Sequence, residues 1–381
     1  MVIELRGVEF VNKGAELMLH AILSRVKERF PKAEFVMEVN HRSTRKNIVE
    51  NGIYAKTNFT IKKAGVTVPM KIFDRFPKSF SKKFNLISDK DIEVILDASG
   101  FAFGDQWGAE KAGERIANHI EKWKIQGKKV ILMPQAFGPF KDERLRKKMG
   151  IITKYADLVF ARDPISYEYI KELSVNSANI RLSPDFTNLI KPETPNNFDK
   201  QMCGVAIIPN KKMIVTGTPE DKKLYYNLLE ELVLNLLQRN EKPFFLIHES
   251  RDDFQIAKDV NDSLDQEIPI VQEENPLKVK GIIKESKAVV TSRFHGLVSC
   301  LSQAIPCLST AWSHKYKMLL EDYDYQNGLL EIDEKNLDDK LDTILLEDNR
   351  VKLIEKLKLK ALKQKEKSNL MWEEVFKVVE E

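Results

Sequence analysis

The chain has 381 residues, 43% apolar and 31% charged, which is long enough for two ordinary domains and polar enough to live in water. A formal charge of +4 is too small at this length to argue for a nucleic-acid partner. No apolar run is long enough to span a bilayer, and no basic segment followed by an apolar one marks a secretory leader, so a cytoplasmic location is expected. The three cysteines, Cys203, Cys300 and Cys307, are odd in number, widely spaced and without a CxxC. That pattern predicts buried thiols in a reducing compartment, neither disulfides nor metal ligands.

Residues 2–11 read as a first strand, Asn12–Glu16 (NKGAE) as a short turn, and Leu17–Val26 as an amphipathic helix that Pro31 closes. Glu34–Val39 is the second strand. One glycine, Gly14, in that turn is not a GxGxxG fingerprint, so a dinucleotide is not indicated. The turn still falls at the ligand-binding edge of a βαβ unit, which makes Asn12, Gly14 and Glu16 candidate contacts. Residues 41–90 are irregular, rich in Lys, Asn and Phe, and read as an insertion or a lid.

Order returns with the strand Asp91–Asp97, followed by the glycine- and aromatic-rich loop 98–108. Two readings of that loop stand: backbone approaching a ligand at Gly100, or an ordinary connection whose aromatics pack on the next helix. A helix 109–126, a strand Lys129–Met133 ending in Pro134-Gln135, a basic helix 142–155 and a strand Asp157–Ala161 follow. Arg162-Asp163 ends that strand and Pro184-Asp185 a later one. Asp163 either orients Arg162 or caps the helix starting at Pro164; Asp185 either accepts a hydroxyl or caps locally.

Lys191–Lys200 (KPETPNNFDK) is the best linker in the chain. Beyond it strands at 203–208, 243–248 and 268–271 alternate with helices. His248 ends one of these strands, before Glu249–Asp253, and either lines the cleft or sits at its rim. The chain then reaches AVVTSRFHGLVSCLSQAIPCLSTAW, residues 288–313, a strand, tight turn, helix and strand. The helix N-terminus offers backbone N–H groups to an anion. Ser292-Arg293-Phe294-His295-Gly296 adds a guanidinium that can grip phosphate or carboxylate, and an imidazole that can pass a proton near neutral pH. Residues 349–381 form a charged helix with an apolar stripe at Leu353, Leu357, Leu362, Trp372 and Phe376.

Strands alternating with helices, with polar motifs after strands, predict two doubly wound Rossmann-like α/β domains facing across a cleft. The expected division is 1–190, linker 191–200, 201–348, and a helix 349–381 that packs back. His20 and His119 lie on predicted helices and read as structural; His41 and His314 lie near loops.

Taken together, several motifs make the chain similar to the polysaccharide pyruvyl transferases, which have a GT-B-like fold. They are the Asn12–Glu16 turn, loop 98–108, Met133-Pro134-Gln135 with Gly138-Pro139, Ala161-Arg162-Asp163, Ser183-Pro184-Asp185, and above all Ser292–Gly296. An aromatic followed by a lysine is matched by Trp312 and Lys315. The chain departs from the family in having Glu16 rather than an acid at Ala15, and Ala98-Ser99-Gly100 where many members have three glycines. The resemblance implies a phosphoenolpyruvate donor on the C-terminal side and a glycan or lipid-linked sugar acceptor on the N-terminal side. The product would be a pyruvate ketal in a cell-surface polysaccharide, with the enzyme at the inner face of the membrane. It implies His295 as general acid and Arg293 and Arg162 as anion ligands, with no cofactor and no metal. The basic helix is compatible with peripheral membrane contact, and a homo-oligomer is compatible with the chain.

Two rival readings share the fold: a GT-B glycosyltransferase with a nucleotide-sugar donor, and a non-enzymatic sugar- or anion-binding protein. The first needs an acid for the ribose, and none precedes Glu321 and Asp322 after the 288–313 unit.

Overall fold

Short β-branched runs form parallel strands here because helices cover both faces of the sheet. The computed structural model describes residues 1–381 except Ala64, Gly65, Val175, Asn176, Met202 and Ser250. The chain divides into two compact units, one of residues 1–11, 18–185 and 369–381, the other of residues 12–17 and 186–368. This differs from the expected division in three places. The boundary falls at 185/186 rather than in 191–200. Residues 12–17 belong with the second unit, and the C-terminal helix Glu347–Glu380 ends in the first.

The first unit contains β1 (Val2–Arg6), β2 (Glu34–Met37), β3 (Tyr54–Lys56), the hairpin β4 (Thr60–Lys63) and β5 (Val66–Pro69), β6 (Leu86–Ile87), β7 (Val94–Asp97), β8 (Lys129–Gln135), β9 (Leu158–Ala161) and β10 (Ile180–Leu182). Eight of these make a parallel sheet ordered β10-β9-β8-β7-β1-β2-β3-β6. Strand order reverses between β1 and β7, which opens a crevice at their carboxyl ends. The 41–90 region is therefore more than an insertion, because β3 and β6 extend the sheet. They are three and two residues long, too short for a period to register.

The second unit contains β11 (Val205–Ile208), β12 (Pro243–Ile247), β13 (Ile270–Gln272), β14 (Ala288–Thr291) and β15 (Cys307–Ser309). They form a parallel sheet ordered β13-β12-β11-β14-β15, with its reversal between β11 and β14. Its core is continuous, from Val205 to Ile208 through Phe244, Phe245, Leu297 and Leu301, all at most 2% exposed or fully buried. Gly281 lets the helix Pro276–Glu285 approach the chain closely: a Cβ there would lie 2.0 Å from the carbonyl oxygen of Glu193. The three cysteines are buried and form no disulfide.

Several boundaries move. β1 stops at Arg6, and Asn12 caps the helix Lys13–Arg29, its Oδ1 accepting from Ala15 N at 3.0 Å. The predicted turn at 12–16 is thus mostly the first turn of a helix. In the C-terminal helix Leu362 is 59% exposed, and the buried face passes instead through Ala361, Gln364, Ser368 and Met371. Leu353 to Leu357 sets a face that residue 361, not 362, continues at helical period. No helix among the described residues is long and apolar enough to cross a membrane.

Candidate active site

The second unit's crevice lies between β11 and β14, and the chain leaving β14 lines it. Thr291 ends the strand and Phe294–Ser302 is the helix. Gly296 allows so abrupt a turn, since a Cβ there would meet Thr291 Oγ1 at 2.5 Å. The intervening Ser292-Arg293 is pinned from several sides. Asn210 Nδ2 and the Tyr316 hydroxyl donate to the Ser292 carbonyl, at 2.7 and 2.9 Å. Ser292 Oγ meets the Tyr225 hydroxyl at 2.8 Å and accepts from Thr310 Oγ1 at 2.7 Å. Burial pushes both phenols up, so they stay protonated donors. Ser292 thus acts as an anchor for the turn, and buried, satisfied hydroxyls hold the next two residues in one geometry.

Arg293 is held between two carboxylates: Asp253, fully buried, at 2.5 Å, and Glu249. Burial pulls the guanidinium down to about 10, which leaves it cationic at neutral pH. Asp253 also accepts from Lys211 N at 3.0 Å, and Glu249 from Asn12 Nδ2 at 2.9 Å. Asn12 therefore joins the first turn of its helix to this cluster. On that same turn Gly14 lies flat against His295: a Cβ would fall 2.2 Å from the imidazole Nδ1. Only a glycine leaves room for the ring.

His248 is buried, and its pKa is driven well below the ordinary histidine range by burial, then by Arg293, His295 and Lys13. It stays neutral. It lines a cavity of about 400 Å³ with Lys13, Glu249, Arg251, Phe254 and the 272–274 segment. Glu16 is also close, paired with Lys13 at 2.9 Å; burial raises its pKa against that pairing. Lys315 sits over the rings of Trp312 at 4.5 Å and Phe294 at 5.0 Å, and Phe294 meets His295 edge-on at 5.5 Å.

Asn12, Gly14, Glu16, His248, Ser292, Arg293, Phe294, His295, Gly296 and Lys315 are therefore gathered in one unit. Gly100, Gln135, Arg162 and Asp185 belong to the other. There Arg162 pairs with Asp185 at 3.0 Å, both buried, while Asp163 caps its helix by accepting from Ser166 N at 2.8 Å. Gln135 Nε2 donates to Asp97 Oδ1 at 3.3 Å. Asp97 is fully buried at the end of β7, and its Oδ1 also accepts from Ser99 Oγ at 2.6 Å, to which Arg115 donates at 2.7 Å. Gly100, at φ +70°, turns this loop. A larger cavity of about 790 Å³ in this unit lies at the amino ends of β9 and β10, away from the ligand edge.

Sequence reasoning missed Lys13, Asn210, Tyr225, Glu249, Asp253 and Tyr316 around Arg293, and Asp97 and Arg115 in the first unit. Glu249 and Asp253 had one signal, their place just after a buried strand. Tyr225 and Tyr316 had none, because each sits on a helix among apolar residues.

Residues 12–314 match the family profile of the polysaccharide pyruvyl transferases. Among solved structures the chain is similar to HepE of Anabaena in complex with UDP and glucose, at 9% identity and a TM-score of 0.61, covering 99% of each chain. It is similar to the UDP-GlcNAc 2-epimerase of Neisseria meningitidis bound to UDP-GlcNAc, at 12% identity and 0.57, again over 99% of each. The MnaA–UDP structure from S. aureus matches at 11% identity and 0.56, over 93% of this chain and 90% of that one. Likeness at such identities establishes the GT-B fold and leaves the ligand to the site residues. The match covers four-fifths of the sequence, from the Asn12 cap through the Arg293–His295 turn, and on it the chain belongs to the polysaccharide pyruvyl transferase family and is a transferase of polysaccharide biosynthesis.

Proposed function

We propose that the protein transfers the pyruvyl group of phosphoenolpyruvate onto two hydroxyls of a glycan sugar, as a ketal, during cell-surface polysaccharide synthesis. The observation carrying this reading is Arg293 and His295 together at the helix N-terminus of a strand-order reversal, with Gly14 flat against the imidazole. Phosphoenolpyruvate carries a phosphate and a carboxylate, and arginine and backbone N–H groups suit both. His295 delivers a proton to C3, which becomes a methyl group and leaves C2 electrophilic. One sugar hydroxyl adds to C2 and returns a proton to the imidazole. The second hydroxyl displaces inorganic phosphate, which leaves with the second proton, and the ketal closes.

Arg293 already holds two carboxylates, so the donor must compete with one of them. Glu249, at 15% side-chain exposure, is the one to yield; Asp253, fully buried, stays. The test is calorimetric titration of phosphoenolpyruvate and of UDP into the wild type and Glu249→Gln. Saturable phosphoenolpyruvate binding, tightened about tenfold in the variant by loss of a competing charge, is expected. Binding of UDP with none of phosphoenolpyruvate would replace this reading with a nucleotide-sugar glycosyltransferase.

A further inference from the structure

Between the hairpin β4–β5 and strand β6 the chain builds an aromatic knob on the first unit. Phe73 lies 5.1 Å from Phe84 and 6.3 Å from Phe80, ring centre to ring centre; Phe76 and Phe80 are 4.9 Å apart, and Phe80 and Phe84 5.4 Å. Phe76, Phe80 and Phe84 are nonetheless 40%, 39% and 45% exposed, and Ile72 beside them is 48% exposed. Contiguous exposed rings mark an interaction surface rather than chance. The knob is anchored beneath, where Met70, Leu86 and Ile87 are buried and Ser81 Oγ donates to the Phe73 carbonyl at 3.2 Å.

Charge identifies the occupant. Residues 51–88 carry eight lysines or arginines and one acid, Asp74. Lys71, Arg75 and Lys83 are exposed and form no ion pair among the described residues. A second copy of the same patch would bring like charges together around the rings. Lys56, Lys78 and Lys82 of the same segment are spent locally, on Glu4 and Glu34.

We propose that the Phe73–Phe84 knob docks the protein on an anionic lipid bilayer, its rings entering the headgroup boundary while Lys71, Arg75 and Lys83 meet the lipid phosphates. The surface belongs to the first unit and the proposed donor site to the second, and the proposal does not depend on the donor's identity. The full chain would be sedimented with vesicles of phosphatidylcholine alone and of phosphatidylcholine with phosphatidylglycerol. Binding to the anionic vesicles only is expected, weakening steeply with salt. Charge reversal at Lys71, Arg75 and Lys83 should weaken it by at least about fivefold per cation, and Phe76→Ser with Phe80→Ser by about tenfold per ring. The lysine and arginine variants touch no core residue, so they stay informative if the ring variant folds poorly. Failure of the folded wild type to bind anionic vesicles, or equal binding by the charge variants, would overturn the proposal. So would a dimer that the ring variant converts to monomer without any vesicle binding.

Discussion

The two units share one topological device and line it with different side chains. Each has a parallel sheet whose strand order reverses once, between β1 and β7 in the first unit and between β11 and β14 in the second. In the second unit the crevice holds a guanidinium, an imidazole and a helix N-terminus. In the first it holds a buried carboxylate: Asp97 Oδ2 and Gln135 Oε1 accept no hydrogen bond among the described residues. Gly7, at φ +81°, keeps β1 tight against this loop, since a Cβ there would lie 2.5 Å from Ser99 N. A guanidinium at a helix N-terminus suits an anion that displaces Glu249 from it; a crevice with spare acceptors suits hydroxyl groups. On the proposed function, the donor's anionic groups fall to the second crevice and the acceptor's hydroxyls to the first.

The largest expected break in this comparison is at His295. His295→Asn should lower turnover about 10²- to 10⁴-fold, while the calorimetric affinity for phosphoenolpyruvate stays within a few-fold. Equal loss of both would make the imidazole a binding group instead of an acid.

Next comes Arg293→Ala. It strands a fully buried Asp253 carboxylate, so the protein should lose about 3–5 kcal/mol against denaturant. Adding Asp253→Asn should recover much of that stability without restoring donor affinity. If the double variant binds the donor, Arg293 is a scaffold and the anion is held elsewhere.

In the first unit Asp97→Asn should raise the acceptor KM about tenfold and leave donor affinity unchanged, because it removes one charged acceptor from the crevice. A change in donor affinity instead would dissolve the proposed division between the units.

The smallest effect concerns acid stability. Asp89 is depressed from 3.8 to about 2; burial opposes this, and Lys56 and Lys128 outweigh it. A folded-state pKa below the unfolded value stabilises the protein above about pH 4, and that contribution is lost as pH falls toward 2. Its side chain is 39% exposed, so solvent screening keeps the effect below about 1 kcal/mol. Asp89→Asn should flatten the fall in stability over that window, followed by chemical denaturation.

Fold class was legible in the sequence because helix and strand periods alternate over long stretches, and the Ser292–Gly296 turn because its polar residues interrupt an apolar run. The short strands β3 and β6 were not, since two or three residues carry no period. The neighbourhood of Arg293 was hidden for a different reason. Glu249 and Asp253 share the stretch after β12, Asn210 follows β11 and Asn12 starts the helix Lys13–Arg29, three stretches far apart in sequence that only the fold brings together. Tyr225 and Tyr316 read as core residues, which they are; that their hydroxyls hold the Ser292 turn depends on which way each helix packs.

By itself the sequence determined the longer local elements, the alternation that makes parallel sheets, and the polar turns that follow strands. These depend on neighbours within a few residues, where propensity, period and steric fit act directly. Tertiary structure decided which charges compensate Arg293, that Gly14 must lack a side chain to admit His295, and that three phenylalanines around Phe73 end exposed instead of in a core. Those outcomes depend on residues up to about 280 positions apart, and only packing selects among the partners that sequence leaves open.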